Sequence, residues 1–235
     1  MDTPIHPQAE AVCEANLALK THGLVTLTWG NASVVDRAND VFLIKPSGVS
    51  YTDLTAAAMA TVSLEDGSQT SGAFRPSSDT ATHRHLYRHF PECGAIVHTH
   101  SEWASSWAQA RRAIPCLGTT HADHFYGDIP LCRDLTDDEL LENYEENTGK
   151  SIVDAFTDGG ADPVRQPGVL VPGHGVFTWG RTLTEAVENA VAVEAIARMA
   201  ANTLALAPDT PPLHQSLLDK HFLRKHGPNA SYGQR

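Results

Sequence analysis

The stretch from Ser77 to His100, SSDTATHRHLYRHFPECGAIVHTH, constrains the chain more than any other. Its closing segment, GAIVHTH (94–100), is a short apolar run rich in β-branched residues, which predicts a buried strand. Side chains alternate faces along a strand, so His98 and His100 share one face and Thr99 takes the other. Two imidazoles so placed can share one cation. A third ligand then has to come from elsewhere in the chain, and His174, in VPGHG after the run GVLV (168–171), is the best candidate. Three histidines with a position left open are the donor set of a catalytic zinc site, whereas structural sites are closed by four ligands. The competing reading, two hydrogen-bonded histidines at a strand end, needs no metal.

The length of 235 residues accommodates one large domain or two small ones, with a substantial core in either case. A formal charge of −11 argues against a nucleic-acid partner and requires a local cation wherever an anionic small molecule is held. The first residues, MDTPIHPQAE, lack the basic start and apolar core of a signal peptide, and no apolar run approaches a membrane span. Cys13, Cys93, Cys116 and Cys132 are irregularly spaced with no CxxC pair, which reads as reduced thiols and a cytoplasmic setting.

Along the chain, the apolar spacing of Val12, Ala15 and Leu19 predicts a helix over 7–20, stopped near Gly23. LVTLTWGNASVV (24–35) is strand-like but interrupted at Trp29-Gly30-Asn31, where a glycine signals a bulge or a close backbone approach. A second strand spans 41–44 and ends in Lys45-Pro46-Ser47-Gly48. That segment is ordinary turn chemistry, and equally an anion nest of backbone N–H groups, a hydroxyl and an ammonium. A similar element, Pro76-Ser77-Ser78-Asp79, precedes a helical pattern ending at Pro91. Helix capping and a phosphate seat both fit it. His83, His85 and His89 on that helix read as packing or solvent-facing groups, with no HExxH pattern. A helix over 101–112 carries Trp103, Trp107 and Ala110 on one face. Asp123 stands out as an acid/base candidate in the polar segment GTTHADHFYG (118–127). Thr136 opens a capped acidic helix running to about Phe156, whose Glu142, Glu145 and Glu146 read as a solvated face. Two short strands bracket His174, the longest helix begins at Thr182 or Thr184, and a short helix precedes the irregular end NASYGQR.

The segments LVTLTWGN (24–31), IKPSGV (44–49), PSSDT (76–80), IVHTHS (96–101), GTTHAD (118–123), FYG (125–127), PGVLV (167–171), HG (174–175) and LLDKHFLRKHG (217–227) occur in this order. Through them the chain resembles the class II aldolase/adducin-like family over essentially its whole length, and within it the 4-epimerases of pentulose phosphates. The resemblance implies a single α/β domain over 1–235, a three-layer α/β/α arrangement with a predominantly antiparallel central sheet. It implies one Zn2+ per chain and a cyclic homotetramer with active sites between subunits, residues 207–235 completing a neighbouring site. It makes His98, His100 and His174 ligands, with Asp79 close to the metal and often counted as a fourth. Gly30, Asn31, Lys45, Ser47, Gly48, Ser77 and Ser78 fall on phosphosugar-binding positions. Asp123 and Tyr232 match an acid/base pair, Tyr232 coming from a neighbouring subunit, and Thr119, Glu145, His221 and Arg224 match secondary substrate-binding positions. The approach to His174 through Val171-Pro172-Gly173 departs from the family's more polar one, which bears on how the ring is oriented and not on its being a ligand. The implied reaction interconverts L-ribulose 5-phosphate and D-xylulose 5-phosphate. Two rivals remain: a class II aldolase of fuculose or rhamnulose phosphate, which calls for glutamate at position 79, and a non-enzymatic adducin-like head domain, which is expected to lack the metal histidines.

Overall fold

Seven strands form one antiparallel sheet: β1 (Asn31–Asp36), β2 (Val41–Ile44), β3 (Ala60–Ser63), β4 (Gln69–Ser71), β5 (Ala95–Thr99), β6 (Gly168–Val171) and β7 (Gly175–Gly180). Their spatial order is β4-β3-β2-β1-β5-β7-β6, every neighbouring pair antiparallel. The computed structural model describes residues 5–228 and Ala230. Its helices are α1 (Ala9–Thr21), α2 (Thr80–His89), α3 (Glu102–Gln109), α4 (Thr119–Ala122), α5 (Asp137–Leu141), α6 (Tyr144–Thr157), α7 (Leu183–Leu206) and α8 (Gln215–His226).

Strand alternation sorts the core into layers. Phe42, Ile44, Val62, Ile96, Phe177 and Trp179 face one side, where Leu86 and Tyr87 of α2, Phe90 just beyond it, and Ile152 and Phe156 of α6 pack on them. Ala32, Val34, Leu43, Ala95 and Val97 face the other, under α1 and the start of α7. A third cluster joins Trp107 of α3 to Val193, Ile196 and Ala197 of α7 over Leu170 and Val176. This is a single α/β domain of three layers, as expected. Among the described residues no helix is long and apolar enough to cross a membrane, and the four cysteines are free and buried.

Three local expectations change. The strand expected over 24–35 begins only at Asn31, because Leu27 and Gly30 have positive φ (53° and 75°) and turn the segment before it. Gly30 does make a close backbone approach: a Cβ there would stand 2.9 Å from the His98 carbonyl oxygen. The helix expected from Thr136 to about Phe156 is two helices. The capping box of Thr136 and Glu139 starts α5 as predicted, but Asn143 adopts the left-handed conformation (φ 55°, ψ 44°) and α6 restarts at Tyr144. Ala110 is exposed, the core face of α3 being Ala104, Trp107 and Ala108.

Internal polar groups make two structural ties. Glu194 of α7 accepts the first N–H groups of α3, from Trp103 (2.9 Å) and Ala104 (3.0 Å), and so caps that helix from outside. The α2–α6 contact is closer. Thr82 Oγ1 donates to the Glu145 carbonyl at 2.6 Å and His85 Nδ1 meets Glu146 at 2.8 Å. A Cβ on Gly149 would lie 2.7 Å from His85 Cβ. In an open helix, Gly→Ala gains about 1 kcal/mol. Here Gly149→Ala is expected to destabilise instead, by about 1–2 kcal/mol, because overpacking has to push two helices apart. Urea midpoints of the two proteins check this, and a stabilised variant would show that the contact yields.

Candidate functional site

β5 lies between β1 and β7, and its register puts Asn31, His98 and Phe177 in one row across three strands. The His98 ring stacks on Phe177, centroids 4.1 Å apart at 18°. Its Nδ1 donates to the Val176 carbonyl oxygen at 3.0 Å. A carbonyl only accepts, so Nδ1 carries a proton and Nε2 is the nitrogen left to face the cleft. That Nε2 sits 3.0 Å from Nε2 of His100. His174, from the turn between β6 and β7, completes the group. Its centroid is 4.8 Å from each of the other two, the rings crossing at 66° and 85°. The three ligand atoms lie within 4.8 Å of one another. Burial foremost, then the neighbouring imidazoles, lowers the pKa of His100 and pushes that of His174 down to about 3. Neutral imidazoles with converging nitrogens are what a divalent cation needs, so these residues fit a metal.

Asp79 stands at the start of α2 without capping it, so the capping reading is not met. Its Oδ2 accepts instead from Asn31 Nδ2 at 2.7 Å and from Ser77 Oγ at 3.2 Å. Burial would raise the pKa of this carboxyl, but His98, His83, His174 and the Asn31 hydrogen bond outweigh it and hold it below the ordinary value. Beneath lies His83, fully buried, its Nδ1 2.7 Å from Ser33 Oγ, which is 2.6 Å from Tyr87 Oη.

The two Pro-Ser elements meet. An antiparallel bridge pairs Pro46 with Pro76, the Ser47 N–H donating to the Arg75 carbonyl and the Ser77 N–H to the Lys45 carbonyl. Ser47, Gly48 (φ 70°) and Ser78 are exposed on the rim this creates. Lys45 lines the cleft, but its ammonium is turned to backbone: Nζ donates to the carbonyls of Val49 (2.8 Å), Thr28 (3.3 Å) and Pro46 (3.4 Å). Burial lowers its pKa. Its three donors tie the 28–30 loop to the 46–49 loop, a role the sequence reading did not assign. Trp29, half exposed, lies on the same lip, its ring 6.4 Å from that of His100.

The resulting cleft encloses about 290 Å³ and brings together Gly30, Asn31, Lys45, Ser47, Gly48, Ser77, Ser78, Asp79, His98, His100 and His174. A larger hollow of about 620 Å³ beside Asp36, Arg37 and Arg181 has no such convergence. The Arg37 guanidinium there is taken up by the carbonyls of Tyr87, Phe90 and Cys93.

Asp123 belongs to a second cluster, between α4 and α8, and is not among the residues lining the cleft. Its carboxylate accepts from Arg224 Nη2 at 3.0 Å on both oxygens and from His221 Nδ1 at 3.1 Å. Burial opposes ionisation, but these bonds and Lys225 win and hold its pKa below the ordinary value. Thr119 opens α4, its carbonyl accepting the Asp123 N–H at 2.9 Å. Glu145 touches α2 through its carbonyl rather than its carboxylate. Tyr232 lies outside the described residues. Tyr144, which sequence reasoning passed over inside one long helix, places its hydroxyl 3.3 Å from His174 Nδ1.

Residues 10–201 match the model of the class II aldolase and adducin N-terminal domain family. Among solved structures, an L-fuculose 1-phosphate aldolase superposes with a TM-score of 0.76 at 21% identity, over 91% of this chain and 93% of its own. L-fuculose 1-phosphate aldolase from Glaciozyma antarctica PI12 gives 0.72 at 20%, over 94% and 85%. YgbL from Klebsiella pneumoniae gives 0.70 at 23%, over 93% and 99%. At these identities the likeness is one of fold.

Burial pushes the pKa of His83 to about 3 and that of His121 to about 4, against about 6.5 in an unfolded chain. Between pH 6.5 and 4 the unfolded chain binds protons that the folded one refuses, so stability falls as pH falls. The expected loss is about 1.4 kcal/mol per pH unit per histidine once below the unfolded value. Urea midpoints of the metal-free protein from pH 7.5 to 4.5 check it. His121→Phe should reduce the slope, and a flat profile would contradict buried neutral rings.

Proposed function

The chain belongs to the class II aldolase/adducin family, and we propose that within it the protein is an L-ribulose-5-phosphate 4-epimerase, working as a cyclic homotetramer with Zn2+ held by His98, His100 and His174. The observation that carries the reading is the convergence of three imidazoles beside a rim of serines, with an aspartate at position 79 that is already engaged. An aldolase of the fuculose-phosphate type calls for a glutamate there. The shorter Asp79 is fixed by Asn31 and Ser77 and kept ionised, which suits a group that orients and neutralises better than one that takes and returns a proton.

The chemistry follows from the substrate. C4–H of a 2-ketose phosphate is not α to the carbonyl, so inversion at C4 by proton removal is not open. Cleaving C3–C4, turning the aldehyde fragment and rejoining the bond achieves it. A divalent cation on the three imidazoles supplies Lewis-acid stabilisation of the charge that cleavage develops. The chain's own groups do the rest. Ser47, Gly48 and Ser78 bind the phosphosugar from the exposed rim in this reading, with Gly30, Asn31 and Ser77 lining the cleft beneath, and together they keep the fragment from leaving. Lys45 holds the two loops that present them. Opposite faces of the aldehyde need two proton-handling groups. In this reading Asp123, on the α4–α8 side and outside the lining of its own chain's cleft, is the first, and Tyr232 of a neighbouring subunit is the second, a phenol being suited to protonate a developing alkoxide. His221 and Arg224 bind Asp123 and keep it an anion. Thr119 and Glu145 stay secondary binding positions.

A coupled assay tests the reading: the protein purifies with about one divalent metal per chain, converts L-ribulose 5-phosphate to D-xylulose 5-phosphate, and loses both metal and activity in His98→Ala. Cleavage of L-fuculose 1-phosphate with no xylulose product would assign it to the aldolases instead. Asp123→Asn should keep metal and lower kcat by about 10²–10⁴. Because Asp123 also anchors α8, the thermal midpoint is read alongside. A rise in KM at unchanged kcat would make it a binding group only.

A further inference from the structure

His174 is the one member of the triad that comes from a turn, and its approach through Val171-Pro172-Gly173 offers its ring no polar side chain. The outer nitrogen finds its partner on another element. Tyr144 Oη stands 3.3 Å from His174 Nδ1, with the two rings 6.1 Å apart and inclined at 38°. We propose that Tyr144 is the positioning residue of the metal site, its phenol oxygen accepting the Nδ1 proton of His174 so that Nε2 presents a lone pair beside His98 and His100. The inference rests on the metal reading above and adds to it the group that decides whether the third ligand is competent.

A neutral imidazole has one proton, and a ring that binds a cation through Nε2 must keep that proton on Nδ1 and find it an acceptor. At His98 the acceptor is the Val176 carbonyl, which permits only that tautomer. At His174 it is a hydroxyl, which works in either direction. With the phenol as donor to Nδ1, the ring proton would sit on Nε2 and point an N–H at the other two histidines. With the phenol as acceptor, Nε2 is bare. A cation therefore selects the second arrangement, and the phenolic proton then points away from the ring.

A group can orient another only if it is itself held, and Tyr144 is held from outside the site. It is the first residue of α6, set by the left-handed Asn143, a conformation that costs a residue other than glycine of order 1–2 kcal/mol. Asn147 Nδ2 secures that bend through the carbonyls of Glu139 (3.1 Å) and Glu142 (2.7 Å). The two residues that follow Tyr144 are fastened to α2, Glu145 by Thr82 and Glu146 by His85. Strain of this sort persists where the surroundings over-determine it, and it places one phenol on one imidazole. A continuous helix from Thr136 would have carried Tyr144 elsewhere.

Tyr144→Phe removes the oxygen and keeps the ring. In the intact protein, chelator competition is expected to show Zn2+ binding weakened about 10–100-fold, the usual weight of such an outer partner. The visible ligand-field spectrum of the Co2+-loaded protein should change, while far-UV circular dichroism and the metal-free thermal midpoint stay those of the parent. Equal Zn2+ affinity and an unchanged Co2+ spectrum would overturn the proposal. A parent protein that binds neither metal would overturn the metal reading instead, and with it this inference. A measurement independent of the variant is the 15N shift of the His174 ring in the Zn2+-loaded parent. A protonated Nδ1 supports the assignment, and an unprotonated Nδ1 defeats it even if Tyr144→Phe does not fold.

Discussion

The pairing of β5 with β1 on one side and β7 on the other is the constraint on which everything else depends. It buries His98 at the centre of the sheet, where an unpaired polar ring would be costly, and then pairs it with the one acceptor the neighbouring strand can offer, the Val176 carbonyl. Phe177, next along β7, covers the ring face. The same bond that makes the histidine tolerable in the core fixes which nitrogen faces the cleft. Folding and ligand geometry are therefore one requirement. From β1 the same row supplies Asn31, whose amide reaches Ser77 and Asp79, so the sheet also sets the carboxylate nearest the triad.

Around this row the loops are locked by polar groups that water does not reach. Lys45 is the clearest case. A buried ammonium has three donors to satisfy, and the carbonyls of Thr28, Pro46 and Val49 take all three, with the Tyr51 ring 4.9 Å away. The Tyr51 hydroxyl in turn donates to the carbonyls of Trp29 and Gly30 at 2.9 Å each. Two irregular segments that could otherwise drift thus become one wall. The Pro46–Pro76 bridge attaches the third segment, and the two Pro-Ser elements, far apart in sequence, end as one rim.

What the sequence reveals is what depends on local periodicity. The His98–Thr99–His100 alternation, the strand 41–44, the two strands around His174 and the capping box at Thr136 are short-range patterns, and all are found as read. The departures arise where a tertiary contact overrides a local preference. Ser77 and Asp79 look like caps, but Asn31 claims the carboxylate from across the sheet. Lys45 looks like an anion ligand because its type and neighbours fit one, and nothing nearby in sequence shows the three carbonyls converging on it. The acidic run after Thr136 looks like one helix, since a left-handed asparagine leaves no periodic signature and the contacts that hold it come from α2 and from Asn147. Tyr144 was hidden by that same break. The strands β3 and β4 lie outside the sequence reading, although Asp66-Gly67 between them, with Gly67 at φ 77°, is a hairpin signal that the sequence carries.

The charge balance of the cleft gives the last step. The chain is strongly acidic, Asp79 contributes a buried anion, and the one lysine or arginine among the cleft-lining residues, Lys45, spends its ammonium on the backbone. An anionic ligand entering there meets dipoles, that is N–H groups at left-handed Gly48 and the hydroxyls of Ser47 and Ser78, rather than a fixed positive charge. Dipoles select shape, since each acts only over the short range and narrow angle of a hydrogen bond. Long-range attraction must come from a full charge. The three converging imidazoles are the natural seat for it, and burial favours the neutral form of His100 and His174. A cation there would offset Asp79 and leave a positive remainder at the centre of an otherwise negative molecule. In such a cleft a full positive charge would arrive with a bound cation, while discrimination is built into the loops.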